Sequence, residues 1–152
     1  MSMDIAEQYD KIYRYCYFKL HNREMAEDIT QETFLRYFEK YRLSSAEWAI
    51  KCLYVIARNL CIDAHRKKPI EPLPNSLLQE NTAEEQILTS LTIKEALSRL
   101  EKEEQELLLL RYVNEVSVSA IGQILGISRF TVRRRLTAAA KKLKDMLRKE
   151  EP

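Results

Sequence analysis

The sequence predicts an all-α protein of two small helical domains joined by a proline-containing linker, the second domain ending in a helix-turn-helix. Three observations carry this prediction. Only two glycines and four prolines occur in 152 residues, with 45% of residues apolar and 32% charged, a helix-rich globular balance. Apolar residues recur at three- and four-residue spacing in both halves of the chain. Three of the four prolines, Pro69, Pro72 and Pro74, fall within six residues, where they end a helix and read as a semi-rigid tether. The domains are expected at 3–68 and 88–149, with 69–87 between them.

Several classes are set aside at once. No apolar run reaches the roughly 18 residues of a membrane span, and the first ten residues, MSMDIAEQYD, are acidic where a signal peptide would be basic and then apolar. A cytoplasmic protein with no direct membrane insertion is the expectation. Cys16, Cys52 and Cys61 are odd in number and form no Cys-x-x-Cys pair. They read as reduced thiols of the core.

Asp4 is placed to cap a helix running to about Leu20, with Ile5, Tyr9, Ile12, Tyr13, Cys16, Tyr17 and Leu20 on one face. His21-Asn22 breaks it, and Asn22 can cap a second helix from Arg23 to about Tyr41. There Met25, Ile29, Phe34, Phe38 and Tyr41 are read as packing residues. Asp28, Gln31, Glu32 and Leu35 lie at i, i+3, i+4 and i+7 and so share a stripe. Glu24, Asp28 and Glu32, four apart, repel one another in an isolated helix. The stripe fits solvated surface, a carboxylate pair or half of a di-metal site, or a surface that docks on a basic protein. The carboxylate chemistries need a Glu-x-x-His partner or a second carboxylate helix. His21 and His65 are the only histidines and neither has that spacing, so no catalytic or metal-binding residue and no cofactor are assigned. Docking is the reading that uses both the acidic and the apolar members.

Ser44 and Glu47 form a capping box for a third helix from about Ala46 to Lys68, with Val55, Ile56, Leu60 and Ile62 read as inward. Trp48, Lys51, Tyr54, Arg58, Arg66, Lys67 and Lys68 mix aromatic and basic groups along it. That pattern suits single-stranded nucleic acid, whose bases stack on rings while cations follow the backbone. Trp48 and Tyr54 are equally well read as core. After the linker, Ile87 to Leu100 carries Ile87, Leu91, Ala96, Leu97 and Leu100, and Glu103 to Tyr112 carries the apolar run Leu107 to Leu110.

The last stretch, Val118 to Leu143, is the most informative. Val118, Ile121, Ile124 and Leu125 define an apolar face. Gly122 leaves room where two helices cross, Gly126 supplies a left-handed turn, Ile127 fills the angle, and Ser128 can cap the next helix. That helix buries Val132, Leu136 and Leu143 and turns Arg129, Arg133, Arg134, Thr137 and Lys141 outward. Residues 128–149 hold nine Lys or Arg against one acid, Asp145, in a chain of net charge only +2. A charge run alone is most often solvated surface. Behind a glycine turn and a cap it marks a recognition helix for a DNA major groove.

With these segments in view, the chain resembles the sigma-70 family of bacterial RNA polymerase sigma factors. It is most similar to the small extracytoplasmic-function (ECF) group, which keeps only regions 2 and 4. AEDITQETFLR at 26–36, LYVIARNLCIDAHRK at 53–67 and LLLRYVNEVSVSAIGQILGISRFTVRRRL at 108–136 carry the resemblance. It implies a non-enzymatic subunit that directs core RNA polymerase to promoters. By the same resemblance Asp28, Gln31, Glu32 and Leu35 dock on the β′ clamp helices. Arg42, Leu43, Ser44, Ser45, Tyr54, Arg58 and Asn59 hold the melted −10 strand. Arg111, Ser128, Arg129, Thr131, Arg133, Arg134 and Thr137 engage duplex −35 DNA, and region 4 touches the β flap. An anti-sigma factor, often membrane-bound, is the implied inhibitor.

The chain departs from the family pattern at four places. Cys52 stands where the family usually has Trp, with Trp48 one turn earlier. Leu100-Glu101 replaces Leu-Pro, which allows a more helical turn. Ala120-Ile121-Gly122 replaces Glu-Ile-Ala. Ala138-Ala139-Ala140 replaces Arg-Ala-Arg and removes expected DNA contacts. A stand-alone helix-turn-helix regulator, binding duplex DNA as a dimer, is the rival reading. An adaptor with a merely solvated basic tail is a third.

Overall fold

The computed structural model describes residues 3–40, 46–67 and 91–149. The chain divides into two compact units. The first contains helices α1 (Ile5–Leu20), α2 (Arg23–Lys40) and α3 (Ala46–Lys67), each packed on the other two. The second contains α4 (Leu91–Ser98), α5 (Lys102–Leu108) with a π-helical turn, Leu109–Val113, on its end, the start of α6 (Val118–Leu125), and α7 (Arg129–Lys149). Among the described residues there is no strand. The linker, the capping serine Ser44 and Ile87 lie outside the described residues.

Local chemistry sets the helix ends of the first unit. The Glu7 N–H donates to Asp4 Oδ1 at 3.1 Å and the Met25 N–H to Asn22 Oδ1 at 3.0 Å, each satisfying a donor that the helix leaves open. Between them His21 takes a left-handed φ of 54°, and its N–H returns to the Tyr17 carbonyl at 2.7 Å. Both caps fall where the sequence places them.

The buried faces differ from the expected ones. On α1 the core residues are Gln8, Ile12, Tyr15, Cys16 and Leu20; Ile5 is exposed and Tyr9, Tyr13 and Tyr17 are half-buried. On α2 they are Ala26, Thr30, Thr33, Phe34 and Tyr37, while Phe38 is exposed and Met25 and Ile29 are half-buried. The two threonines can be buried because each hydroxyl donates to the carbonyl one turn back, Thr30 to Ala26 at 2.6 Å and Thr33 to Ile29 at 2.7 Å. A hydroxyl so satisfied carries no desolvation penalty into the core. On α3 the contact line is Ala49, Cys52, Leu53, Ala57 and Cys61 with Tyr54. Its small residues let three helices approach closely. Val55, Ile56, Leu60 and Ile62, expected inside, flank that line half-buried.

An aromatic pair and a hydrogen bond are among the contacts that join α1 to α3. The Tyr15 and Tyr54 rings meet edge to face, 5.4 Å between centroids at 82°, a favoured aromatic geometry. The His65 Nε2–H donates to the Lys19 carbonyl at 2.8 Å. All three cysteines are buried and unbridged. The Cys61 thiol beside Cys16 lowers the Cys16 pKa, outweighing the rise that burial alone would give. Burial pushes the Cys52 thiol up.

In the second unit α4 and α5 both pack on α7. The turn between α4 and α5 is not more helical for lacking proline. Glu101 is extended (φ −65°, ψ 153°), and its N–H donates to Glu104 Oε1 at 3.2 Å. Gln105 Nε2 donates to the Leu97 and Leu100 carbonyls at 2.7 and 3.0 Å, closing the end of α4. Past Leu108 the α-helical ladder widens, with the Asn114 N–H bonding to the Leu109 carbonyl at 2.9 Å. This π turn leaves Tyr112 and Val113 outside and Leu110 fully buried. Glu115, at φ 58°, then reverses the chain.

The helix-turn-helix depends on one close approach. A Cβ on Gly122 would lie 2.7 Å from the Ile127 carbonyl oxygen, and the Ile127 N–H bonds to the Gly122 carbonyl at 2.9 Å. Gly126 stands at φ 72°, conformational space in which a side chain is strained.

Two stability measurements check this account. Tyr54→Ala removes a fully enclosed ring and should cost about 3–5 kcal/mol, read from urea unfolding of the first unit's helices. Gly122→Ala forces a backbone oxygen to move and should cost about 1–3 kcal/mol. A Gly122→Ala protein as stable as the parent would contradict the close approach.

Candidate nucleic-acid and protein interface

The face of α7 opposite its core contact carries the strongest site chemistry. Val132, Leu136 and Ala139 are buried, and Leu143, expected with them, is half-buried. On the outer arc, from about 90° to about 190° around the helix, lie Phe130, Arg133, Arg134, Thr137 and Lys141, at i, i+3, i+4, i+7 and i+11, all exposed. Ser128 starts the helix. Its Oγ accepts the Thr131 N–H at 3.1 Å and lies 3.0 Å from Thr131 Oγ1, so these two hydroxyls hold the cap. Arg129 is exposed, its guanidinium carbon 5.3 Å from the Phe130 ring centroid. Of the nine basic residues, Lys142 is tied to this unit's own fold, 3.1 Å from Glu104 on α5.

Arg111 has a local role as well as the one expected of it. It is half-buried, and its guanidinium donates to the Val116 carbonyl at 3.3 Å. That bond braces the loop ahead of α6. Ser117 then caps α6 by accepting the Ala120 N–H at 3.1 Å. Of the alanines standing where the family has Arg-Ala-Arg, Ala138 is exposed and Ala139 fully buried. Ala140 is half-buried, so of the two positions where the family has arginine, 138 is the one fully open to solvent.

On α2 the expected stripe is on the surface. Asp28, Gln31 and Leu35 are exposed, Leu35 at 58%. Glu32 is partly exposed and pairs with Arg36 at 2.9 Å. Phe38, expected to pack inside, is 40% exposed and adds a second apolar group one turn beyond Leu35. Two large apolar side chains thus stand in water beside carboxylates on one stretch of α2.

The surface of α3 corrects the assignment of the −10 residues. Tyr54 is fully buried against Tyr15, so its ring belongs to the core and offers no face to a base. Asn59 is exposed and Arg58 half-buried, with Arg58 Nε enclosed and lacking a hydrogen-bond partner. The aromatic ring on the outer face is Trp48, 40% exposed, with Lys51 Nζ 5.9 Å from its centroid. Cys52, where the family usually has Trp, is buried, and the Trp48 ring one turn earlier is half in solvent. Arg42, Leu43, Ser44 and Ser45 lie outside the described residues. Trp48 keeps the surface role open to it in the sequence, whereas Phe130 escapes a reading by hydropathy, which counts large apolar residues as core. Among the described residues no group of three or more His, Cys, Asp or Glu is placed to hold a metal ion.

Comparison with known proteins agrees with this arrangement. A family model described as Sigma-70 region 2 matches residues 5–69, and one described as Sigma-70, region 4 matches 96–145. The ECF RNA polymerase sigma factor SigW of Bacillus subtilis is 31% identical over 95% of this chain and 88% of its own. The ECF RNA polymerase sigma factor BldN of Streptomyces coelicolor is 30% identical over 80% of this chain and 51% of its own. The fold is shared with the sigma factor RpoE of Bartonella quintana, solved in complex with the anti-sigma factor NepR. That match has a TM-score of 0.63 and 18% identity, over 95% of this chain and 94% of that one. Two helical segments, in this order and each presenting a charged face to solvent, are thus matched along nearly their whole length, and the chain belongs to the ECF group of the sigma-70 family.

Proposed function

We propose that this chain is a promoter-specificity subunit that acts by binding rather than by catalysis, with 3–68 serving as region 2 and 88–149 as region 4. The observation that carries the reading is the pairing, in one chain, of an acidic and apolar stripe on α2 with a basic recognition helix, α7. A duplex-binding regulator needs only the second. Core RNA polymerase is the partner for the first, with Asp28, Gln31, Glu32 and Leu35 meeting the β′ clamp helices and Phe38 extending the contact. Polar members set the register and apolar members supply the affinity.

Promoter opening falls to α3 and the segment before it. Trp48 with Lys51 pairs a stacking surface with a cation, the combination that holds an unstacked base. Asn59 and Arg58 lie further along the same helix. Flipping a base out of the stack costs a few kcal/mol, and contacts here offset part of that cost. Upstream, Arg133, Arg134 and Thr137 face base edges and phosphates of the −35 duplex, and Arg129 and Lys141 extend the charge to either side. Region 4 also meets the β flap. An anti-sigma factor that covers these surfaces is the expected inhibitor, in line with the inhibitor bound to the structural relative. The chain works in the cytoplasm, where core polymerase meets DNA; among the described residues no helix is long and apolar enough to cross a membrane.

Size exclusion with sigma-free core polymerase tests the first surface. The parent chain should co-elute, and Glu32→Lys should lose co-elution. That change also sets a lysine against Arg36 one turn on, a local repulsion of only ~0.3 kcal/mol, so the helical content of the variant should match the parent's. No co-elution of the parent, together with salt-sensitive duplex binding by the chain alone, would favour the stand-alone regulator. The second surface is tested by Arg133→Ala with Arg134→Ala. Transcription that depends on the −35 element should fall at least tenfold while co-elution with polymerase persists. Unchanged transcription would remove α7 from promoter reading.

A further inference from the structure

Phe130 is the most exposed large apolar side chain among the described residues, at 66%. It lies on the first turn of α7, the part of a recognition helix that reaches base edges. It heads the outer stripe: Arg133, Arg134 and Thr137 follow it over the next two turns, and the buried Val132, Leu136 and Ala139 lie on the other side of the helix. Nothing in the second unit's core uses the ring. Arg129 rests beside it, 5.3 Å from the centroid, which steadies the ring without covering it.

From this placement we propose that Phe130 is a specificity-determining residue that reads the C5-methyl group of a thymine in the upstream element. The inference rests on the −35 reading of α7. A phenyl ring has no donor or acceptor, so it cannot tell base edges apart by hydrogen bonding. In the major groove the one apolar mark a base pair displays is the thymine methyl. The flanking Arg133 and Arg134 hold phosphates or guanine edges and keep the ring pressed into the groove. With Ala138 in place of an outward arginine, the face beside Phe130 loses one cation. An apolar contact at the helix start then takes a larger share of discrimination.

The test uses the full chain assembled with core polymerase. Upstream elements are first selected from a random library, and each thymine of the selected duplex is then replaced by uracil, which removes only the methyl. For the parent, uracil at one position should weaken promoter binding about fourfold, the value of one buried methyl. In Phe130→Ala the same replacement should change nothing. Because the ring is exposed, that variant should keep the parent's melting temperature. The proposal is overturned if no thymine responds to loss of its methyl, or if the response survives in Phe130→Ala. Failure of the parent holoenzyme to select any upstream element would instead bring down the −35 reading, and Phe130's role with it. The selection step shows this before any uracil is placed.

Discussion

The approach of Gly122 to the Ile127 carbonyl governs the DNA-facing end of this chain. An α-carbon without a side chain lets the backbone of the turn lie against α6, and the Ile127 N–H is satisfied by the Gly122 carbonyl in the same contact. Once that contact forms, the left-handed Gly126 and the Ser128 cap fix where α7 starts. The start fixes the rotation of the whole helix, because side chains follow the helical repeat from their first turn. Val132, Leu136 and Ala139 then point inward, and Phe130, Arg133, Arg134, Thr137 and Lys141 have no other direction to take. The Lys142–Glu104 pair and the packing of α4 and α5 on α7 hold that rotation farther along.

How much of the fold is legible in the sequence depends on how local its cause is. Asp4, Asn22 and Ser128 were readable as caps because a cap involves four residues and one hydrogen bond. The glycine turn was readable for the same reason. The inward face of α2 was not. Thr30 and Thr33 look polar to any count of hydropathy, yet a back-bond to the preceding turn removes their need for water. On α3 the residues that meet the neighbours are largely small, because close helix packing selects small side chains. The larger Val55, Ile56, Leu60 and Ile62 were mistaken for the core on size alone.

The candidate site shows the same limit from the other side. Charge and spacing found the stripe at Asp28, Gln31, Glu32 and Leu35 and the basic face of α7, because like side chains at helical spacing must share a face. Large apolar groups at the interface stayed hidden. Phe38 and Phe130 look like core residues in a sequence, and Trp48 and Tyr54 read alike there; only burial separates the exposed Trp48 from Tyr54, which is core. Resemblance carried Tyr54 to the DNA surface because it aligns motifs without regard to which side of a helix faces in. Lys142 adds to the basic charge of the last helix in the sequence, yet Glu104, thirty-eight residues earlier, holds it.

These placements bear on how such a small protein discriminates between promoters. Cations on α7 attract every duplex alike, since phosphate is the same at every step, and that attraction weakens with salt. Replacing an outward cation by Ala138 lowers the part of affinity that carries no sequence information. A phenyl ring at the start of the helix, reading a thymine methyl as proposed, adds a part that does. Binding of region 4 on its own is then weaker and more selective. A subunit can tolerate weak DNA contacts if it arrives already attached to polymerase, because attachment turns a second binding event into a local one at high effective concentration. Under the proposed function the acidic and apolar stripe on α2 is that attachment. On that proposal affinity for the enzyme and selectivity for the promoter lie on separate helices, so that each can change without loss of the other.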